Sequence, residues 1–241
     1  MGFDTKYRPK SYGDVLGQSS TVEILRQYVS SGKGFHQSYL FAGPHGTGKT
    51  TLARILARAL LCEDSQDGAP CGTCSSCRSF LSGTSETFVE FDAASNSGKD
   101  DIKRLIEEIS YSTFSGRRRL YLIDEAHRLT KDASDAMLKY LEDDNGQGEK
   151  KMVCLFCTTE PEKMRPAVVS RCAPTFVVRK QSPKSLATRL QYICEQEGLS
   201  FESEALEIVA ESAECHVRDA LKILEGLSLI GDITVSQARS Y

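Results

Sequence analysis

Eight residues constrain the fold of this chain more than any other feature. Gly43-Pro44-His45-Gly46-Thr47-Gly48-Lys49-Thr50 satisfies G-x-x-x-x-G-K-[ST] in full. The pattern has a mechanical reason. Glycines let successive backbone N–H groups converge on one anionic group, and the helix N-terminus behind them adds partial positive charge. Such a loop needs a strand in front and a helix behind. Both are predicted: Tyr39-Leu40-Phe41 reads as strand, and Leu52-Ala53-Arg54-Ile55-Leu56-Ala57 as helix. A glycine-rich turn matching by accident is expected in about one chain in a hundred of this length, before either flank is required. The run from Gly43 through Thr51 is therefore assigned to a nucleotide. Lys49 would reach the β and γ phosphates, and the Thr50 hydroxyl would ligate Mg²⁺.

The rest of the chain supplies the sheet that this loop demands. Short apolar runs rich in branched and aromatic residues fall at 38–42, 88–92, 120–124, 152–158 and 175–178. Helical periods separate them, as with Ile102, Leu105, Ile106 and Ile109 at i, i+3, i+4 and i+7. Strands alternating with helices predict an α/β fold with a parallel sheet. The run 120–124 ends in Asp124-Glu125, at the strand end where ligands collect in such sheets. Asp124 would hold Mg²⁺ through water, and Glu125 would polarise the attacking water. Without the loop, the same pair would read as a strand-ending turn with solvated acids.

A boundary is predicted near 179–183, where Ser182-Pro183 combines a capping hydroxyl with proline at the first helical position. Residues 1–179 then form the α/β domain, and 180–241 a small unit of three helices near 183–197, 203–213 and 216–230. This unit carries 6 basic and 10 acidic residues, against 24 and 23 before it.

Four of the nine cysteines fall in a turn-rich insert at about 62–80. Cys62, Cys71, Cys74 and Cys77 are spaced C-x8-C-x2-C-x2-C, which suits a closed tetrahedral Zn²⁺ site. Iron–sulfur is the other metal reading, although the C-x3-C-P continuation of ferredoxins is missing. Cys154 and Cys157 repeat the C-x-x-C spacing, but on a strand their side chains point to opposite faces and cannot share an ion. Cys172, Cys194 and Cys215 read as packing residues.

Charge and composition exclude several classes. Apolar residues at 40% rule out disorder, and no run approaches the roughly 18–20 apolar residues of a membrane span. The polar N-terminus predicts a cytoplasmic protein without membrane attachment. A net charge of −3 means that any contact with DNA rests on a local patch, for which Lys99, Lys103, Arg104 and Arg117-Arg118-Arg119 are candidates.

Taken together, these motifs resemble the gamma/tau family of bacterial DNA polymerase III, the sliding-clamp-loader ATPases of the AAA+ superfamily. The resemblance spans nearly the whole chain. Its most specific marks are Lys6-Tyr7-Arg8-Pro9, Val15-Leu16-Gly17-Gln18 and the four-cysteine insert directly after the phosphate loop. Further marks are Phe91-Asp92-Ala93-Ala94-Ser95, Thr158-Thr159-Glu160-Pro161, Ser170-Arg171-Cys172 and Val217-Arg218-Asp219-Ala220. By that resemblance Tyr7, Arg8 and Val15 pack around adenine, and Thr159 is the first sensor. Arg171 becomes the arginine finger that reaches the ATP of a neighbouring subunit, and Arg218 the second sensor on the helical lid. The implied partners are other loader subunits in a hetero-oligomeric ring, the sliding clamp and primer-template DNA. Polymerase (transferase) activity is expected to belong to the larger machine.

Two places depart from the family pattern. Asp143-Asp144-Asn145-Gly146 replaces a Glu-Pro-Pro sequence, and Cys215-His216 replaces a pair of small residues. Competing functions remain: a non-catalytic subunit of the same ring, a helicase and a small-molecule kinase. The first is weighed against by intact Lys49, Thr50, Asp124 and Glu125. The second needs a further RecA-like domain, and the third an acceptor-binding lid.

Overall fold

The computed structural model describes residues 1–31, 36–96, 103–105, 107, 119–142 and 152–241. Five parallel strands form one sheet in the order β2-β3-β4-β1-β5. They are β1 (Ser38–Ala42), β2 (Phe88–Asp92), β3 (Arg119–Asp124), β4 (Met152–Thr158) and β5 (Thr175–Val177). The edges β2 and β5 are partly exposed, whereas β1 and β4 are buried along their whole length. Continuous apolar runs are what a strand covered on both faces requires.

The side-chain alternation of each central strand divides the core into two. Tyr39, Phe41, Leu120, Leu122, Val153, Leu155 and Cys157 face one cluster. Packed there are α2 (Ser19–Ser30) through Leu25 and Val29, and α3 (Lys49–Leu61) through Leu52, Ile55 and Leu56. Leu40, Tyr121, Ile123, Cys154 and Phe156 face the other, against Met137 and Leu141 of α5 (Lys131–Glu142) and Val168 of α6 (Pro166–Arg171). Cys154 and Cys157 thus lie on opposite faces, as period-two geometry requires. A buried phenylalanine such as Phe156, fully enclosed, contributes about 3–5 kcal/mol by comparison with alanine.

Beyond β5, helices α7 (Pro183–Glu197), α8 (Ser203–Ser212) and α9 (Val217–Ser228) close on their own core around Leu190, Leu206 and Leu224. The Ser182 hydroxyl accepts from the Ser185 N–H, and Gly198 ends α7 at φ 66°. A fourth short helix, α10 (Val235–Ser240), follows the three predicted ones, with Thr234 and Gln237 forming a capping box. It is too short for periodicity to reveal. Glu214 and Cys215, both at positive φ, terminate the preceding turn, so α9 starts at Val217.

Among the described residues, none of the first seven belongs to either core cluster of the sheet. Phe3, which opens α1 (Phe3–Lys6), and Tyr7, just after it, lie against the core of the helical unit. The Gln18 side chain ties this segment to the chain leaving β5: its Nε2 donates to the Arg179 carbonyl at 2.7 Å, and its Oε1 accepts from the Arg179 N–H. Of the predicted helix at 102–109, Lys103–Leu105 and Glu107 are helical and Leu105 is buried. Ile102, Ile106, Ile109, Lys99, Arg117, Arg118 and the segment 143–148 lie outside the described residues.

Candidate active site and metal centre

The loop after β1 sits where the chain connections diverge, because β2 lies to one side of β1 and β5 to the other. Its root is gripped from both neighbours. The Gly43 N–H donates to the Thr158 carbonyl at 3.2 Å, and the Val178 N–H donates to the Ala42 carbonyl at 2.8 Å. Gly43 has φ 151°, and a Cβ there would lie 2.1 Å from the Val178 carbonyl oxygen. Only glycine fits. Gly48, at φ 99°, precedes the first turn of α3 and leaves its N–H groups facing outward.

A cavity of about 440 Å³ opens above this loop. His45 through Thr51 form its floor, and Asp92, Asp124 and Glu125 its rim at the strand ends. The N-terminal segment supplies Tyr7, Arg8 and Val15, and the helical unit supplies Gln181, Arg189, Val217, Arg218 and Leu221. Most residues named from sequence therefore converge on one space, and Gly43 and Pro44 form its root.

Two carboxylate pairings organise the rim. The Thr50 hydroxyl donates to Asp124 Oδ2 at 2.9 Å, an oxygen pair suited to one hard cation. Glu125 has a left-handed backbone, φ 48°, which turns it away from the strand direction. Its Oε2 accepts from the Thr159 hydroxyl at 3.1 Å. Lys49 is buried, with Nζ donating to the Pro44 carbonyl at 2.8 Å. Burial lowers its pKa, opposed mainly by the negative charge of Glu125. The loop thus holds its own cation on a carbonyl that an anion can displace.

Arg218 reaches across from α9, with Nε 3.3 Å from Asp4 Oδ2. Tyr7 donates to Glu197, and burial together with that bond raises its pKa to about 12. Arg8 lies beside Arg54, and burial above all lowers its pKa. Arg171 stands apart. It is exposed at the end of α6, its Nη1 bonded to the Ala167 carbonyl at 3.3 Å, and it does not line the cavity of its own chain.

Sequence reasoning missed Gln181, Arg189, Leu221 and Glu90, which all line the cavity. Arg189 Nη2 donates to the Tyr7 carbonyl at 3.4 Å, tying the lid to the N-terminal segment. No motif marks these positions, because each acts through placement rather than through a recurrent spacing. His216, a noted departure, packs on the loop: a Cβ on Gly46 would lie 3.1 Å from His216 Cβ.

The insert gathers the four cysteines at one end of α4 (Ser75–Ser82). All four Sγ atoms lie within 4.8 Å of one another. The Cys62–Cys74 and Cys71–Cys77 sulfurs are 3.9 and 4.0 Å apart. Tetrahedral thiolates about 2.3 Å from Zn²⁺ stand about 3.8 Å from each other, so the spacing fits. Backbone N–H groups of Thr73 and Cys74 donate to Cys71 Sγ and bring its pKa down to about 6. The cluster could hold one metal ion.

A family model described as DNA polymerase III, delta subunit, matches residues 17–180. Another, the DNA polymerase III clamp loader subunit ATPase lid domain, matches residues 185–226. Over 231 residues the chain is 35% identical to DNA polymerase III subunit tau of Escherichia coli K12, covering 96% of this chain and 35% of that protein. It is also 35% identical to subunit tau of Bacillus subtilis 168, covering 94% of this chain and 39% of that protein. The chain thus spans little more than a third of the curated relatives it matches. In fold it is similar to the RuvB Holliday junction branch migration motor of Thermotoga maritima, with a TM-score of 0.69 at 19% identity over 97% of this chain and 71% of that one. That likeness is one of fold: a parallel sheet followed by a helical unit.

Proposed function

The chain belongs to the DNA polymerase III clamp-loader subunit family, and on that premise we propose that it is an ATP-hydrolysing motor of a sliding-clamp loader. One observation carries the reading: the phosphate loop, Asp124, Glu125 and lid residue Arg218 line a single cavity.

In this reading residues 1–179 form the ATPase domain and 180–241 the lid. Tyr7, Arg8 and Val15 flank the base, and the loop amides hold the phosphates. Lys49 leaves the Pro44 carbonyl for the β and γ oxygens. Thr50 and Asp124 would hold Mg²⁺, which neutralises charge on the triphosphate when bound. Glu125 accepts a proton from the attacking water, oriented through Thr159 Oγ1. Arg218 exchanges Asp4 for the γ-phosphate side and so couples nucleotide state to the lid angle. Arg171, which does not line its own chain's cavity, serves the ATP of an adjacent subunit, since a planar guanidinium matches phosphoryl charge well. Hydrolysis then depends on assembly.

Cys62, Cys71, Cys74 and Cys77 would hold structural Zn²⁺, a site closed to chemistry because all four ligands come from protein. The exposed Lys103 and Arg104 are candidates for DNA contact. A cytoplasmic setting agrees with nine cysteines free of disulfides. Among the described residues no helix is long and apolar enough to cross a membrane.

The test is ATP hydrolysis by the full protein assembled with loader subunits, with and without sliding clamp and primer-template DNA. Stimulation by clamp and DNA that is absent in Lys49→Ala is expected; hydrolysis indifferent to both would refute the motor reading.

A further inference from the structure

We infer that His127 is a positioning residue for hydrolysis: its imidazole braces Glu125 against the end of β4. The inference rests on the reading of Glu125 as the carboxylate that activates water. His127 follows Asp124-Glu125 in a 3-10 turn (Ala126–Arg128), and its side chain is only 7% exposed. Such burial of a polar ring is tolerated when both nitrogens have partners.

Both do. Nε2 lies 3.0 Å from Glu160 Oε2. Lys163 and the other charges around Glu160 hold that carboxyl below its usual pKa, so it is ionised at neutral pH and can only accept. Nε2 therefore carries a proton, and this bond fixes the plane of the ring. On the other edge, Nδ1 lies 3.0 Å from Thr158 Oγ1 and 3.4 Å from Glu125 Oε2, a carboxylate oxygen that the ring holds when Nδ1 carries a proton as well, as imidazolium between two carboxylates. Thr158 is fully buried in β4, and its Oγ1 also accepts from the Glu160 N–H at 3.1 Å.

The consequence is directional. Thr159 and His127 both meet Glu125 at Oε2, and among the described residues Oε1 carries no hydrogen bond. One oxygen is held and the other is left for water. Glu125 needs such a brace because its left-handed backbone lies outside the sheet ladder. His127 touches neither nucleotide nor water in this scheme and acts only through the carboxylate.

The experiment compares Glu125→Gln, His127→Ala, His127→Asn and the Glu125→Gln/His127→Ala double variant in the assembled full protein. The readouts are steady-state ATP hydrolysis and ATP affinity. His127→Ala should lower kcat about 10–100-fold with KM and ATP affinity within about twofold. Asn, whose amide can occupy the Nδ1 position, should recover most of the loss. In the Glu125→Gln background, His127→Ala should cost little more, because both changes disable one group. If His127→Ala does not fold, His127→Leu, which fills the space without either nitrogen, replaces it in the same comparison. Full activity in His127→Ala or His127→Leu, no rescue by Asn, or an equal loss in the Glu125→Gln background overturns the inference while Glu125 keeps its role. Full activity in Glu125→Gln removes the role of Glu125 and this inference with it.

Discussion

Replacing Gly43 by alanine separates two costs that the phosphate loop combines. The residue has φ 151°, a region that side-chain-bearing residues avoid, at a cost of about 1–3 kcal/mol. The added Cβ would also stand 2.1 Å from the Val178 carbonyl oxygen, where contacts under 3.0 Å do not occur. That carbonyl cannot simply retreat. Val178 is fully buried, and its N–H is bonded to the Ala42 carbonyl at 2.8 Å. Relief requires a shift of about 1 Å between β1 and the chain leaving β5, a forced repacking worth about 1–3 kcal/mol more. Gly48 provides the control. Its φ of 99° is strained for alanine, but nothing lies within 4 Å of the added Cβ. Gly43→Ala should therefore be less stable than Gly48→Ala by about 1–3 kcal/mol. At about 2–4 °C per kcal/mol for a chain of this size, its thermal midpoint should be about 2–12 °C lower. Calorimetry without nucleotide keeps ligand linkage out of the comparison. A Gly43→Ala midpoint equal to or above that of Gly48→Ala would refute the close approach of loop and strand.

Other changes test the chemistry. Lys49→Ala removes charge-assisted bonds worth about 1.5–3 kcal/mol, so ATP affinity measured by fluorescence should fall about 10–100-fold; unchanged affinity would discard the phosphate-loop assignment. Arg171→Ala should leave ATP affinity intact and slow hydrolysis in the assembled ring by about 10³-fold or more, with no effect on the isolated chain; equal losses in both would exclude a role in trans. Elemental analysis should find about one zinc and no iron per chain, and Cys74→Ser should lose the metal; an iron-containing preparation would contradict the zinc assignment. Tyr7 keeps its proton to about pH 12 when folded but to about pH 10 when unfolded, so its contribution is complete below pH 10 and vanishes between those values. Tyr7→Phe should flatten that part of the midpoint-against-pH curve; an identical alkaline decline would place the titration elsewhere.

Three of the five strands, 38–42, 88–92 and 152–158, have the ends that their apolar runs predict. The reason is local: turn residues bound each run, and in β1 and β4 burial on both faces adds a demand for near-continuous hydrophobicity. Strand β3 begins one residue earlier than predicted, at Arg119, because this half-buried residue still pairs with Met152 at the start of β4. The short α10 escaped notice for want of length. Thr159 and Arg218 were legible only through family resemblance, since nothing in their spacing places either beside a phosphate loop.

What the amino-acid order determined alone was whatever depends on neighbours in the chain: the turn of Gly43–Thr50, the strand ending at Asp124, and the four-cysteine insert. Tertiary structure decided what depends on approach through space. It set the Asp4–Arg218 pair between residues over two hundred positions apart, the lid contacts of Arg189 and His216, and the bracing of Glu125 by His127 and Thr159. A short motif records a backbone conformation, because bond geometry acts over a few residues. Which side chains face one another across a cavity follows from packing the whole chain, and no local spacing encodes it.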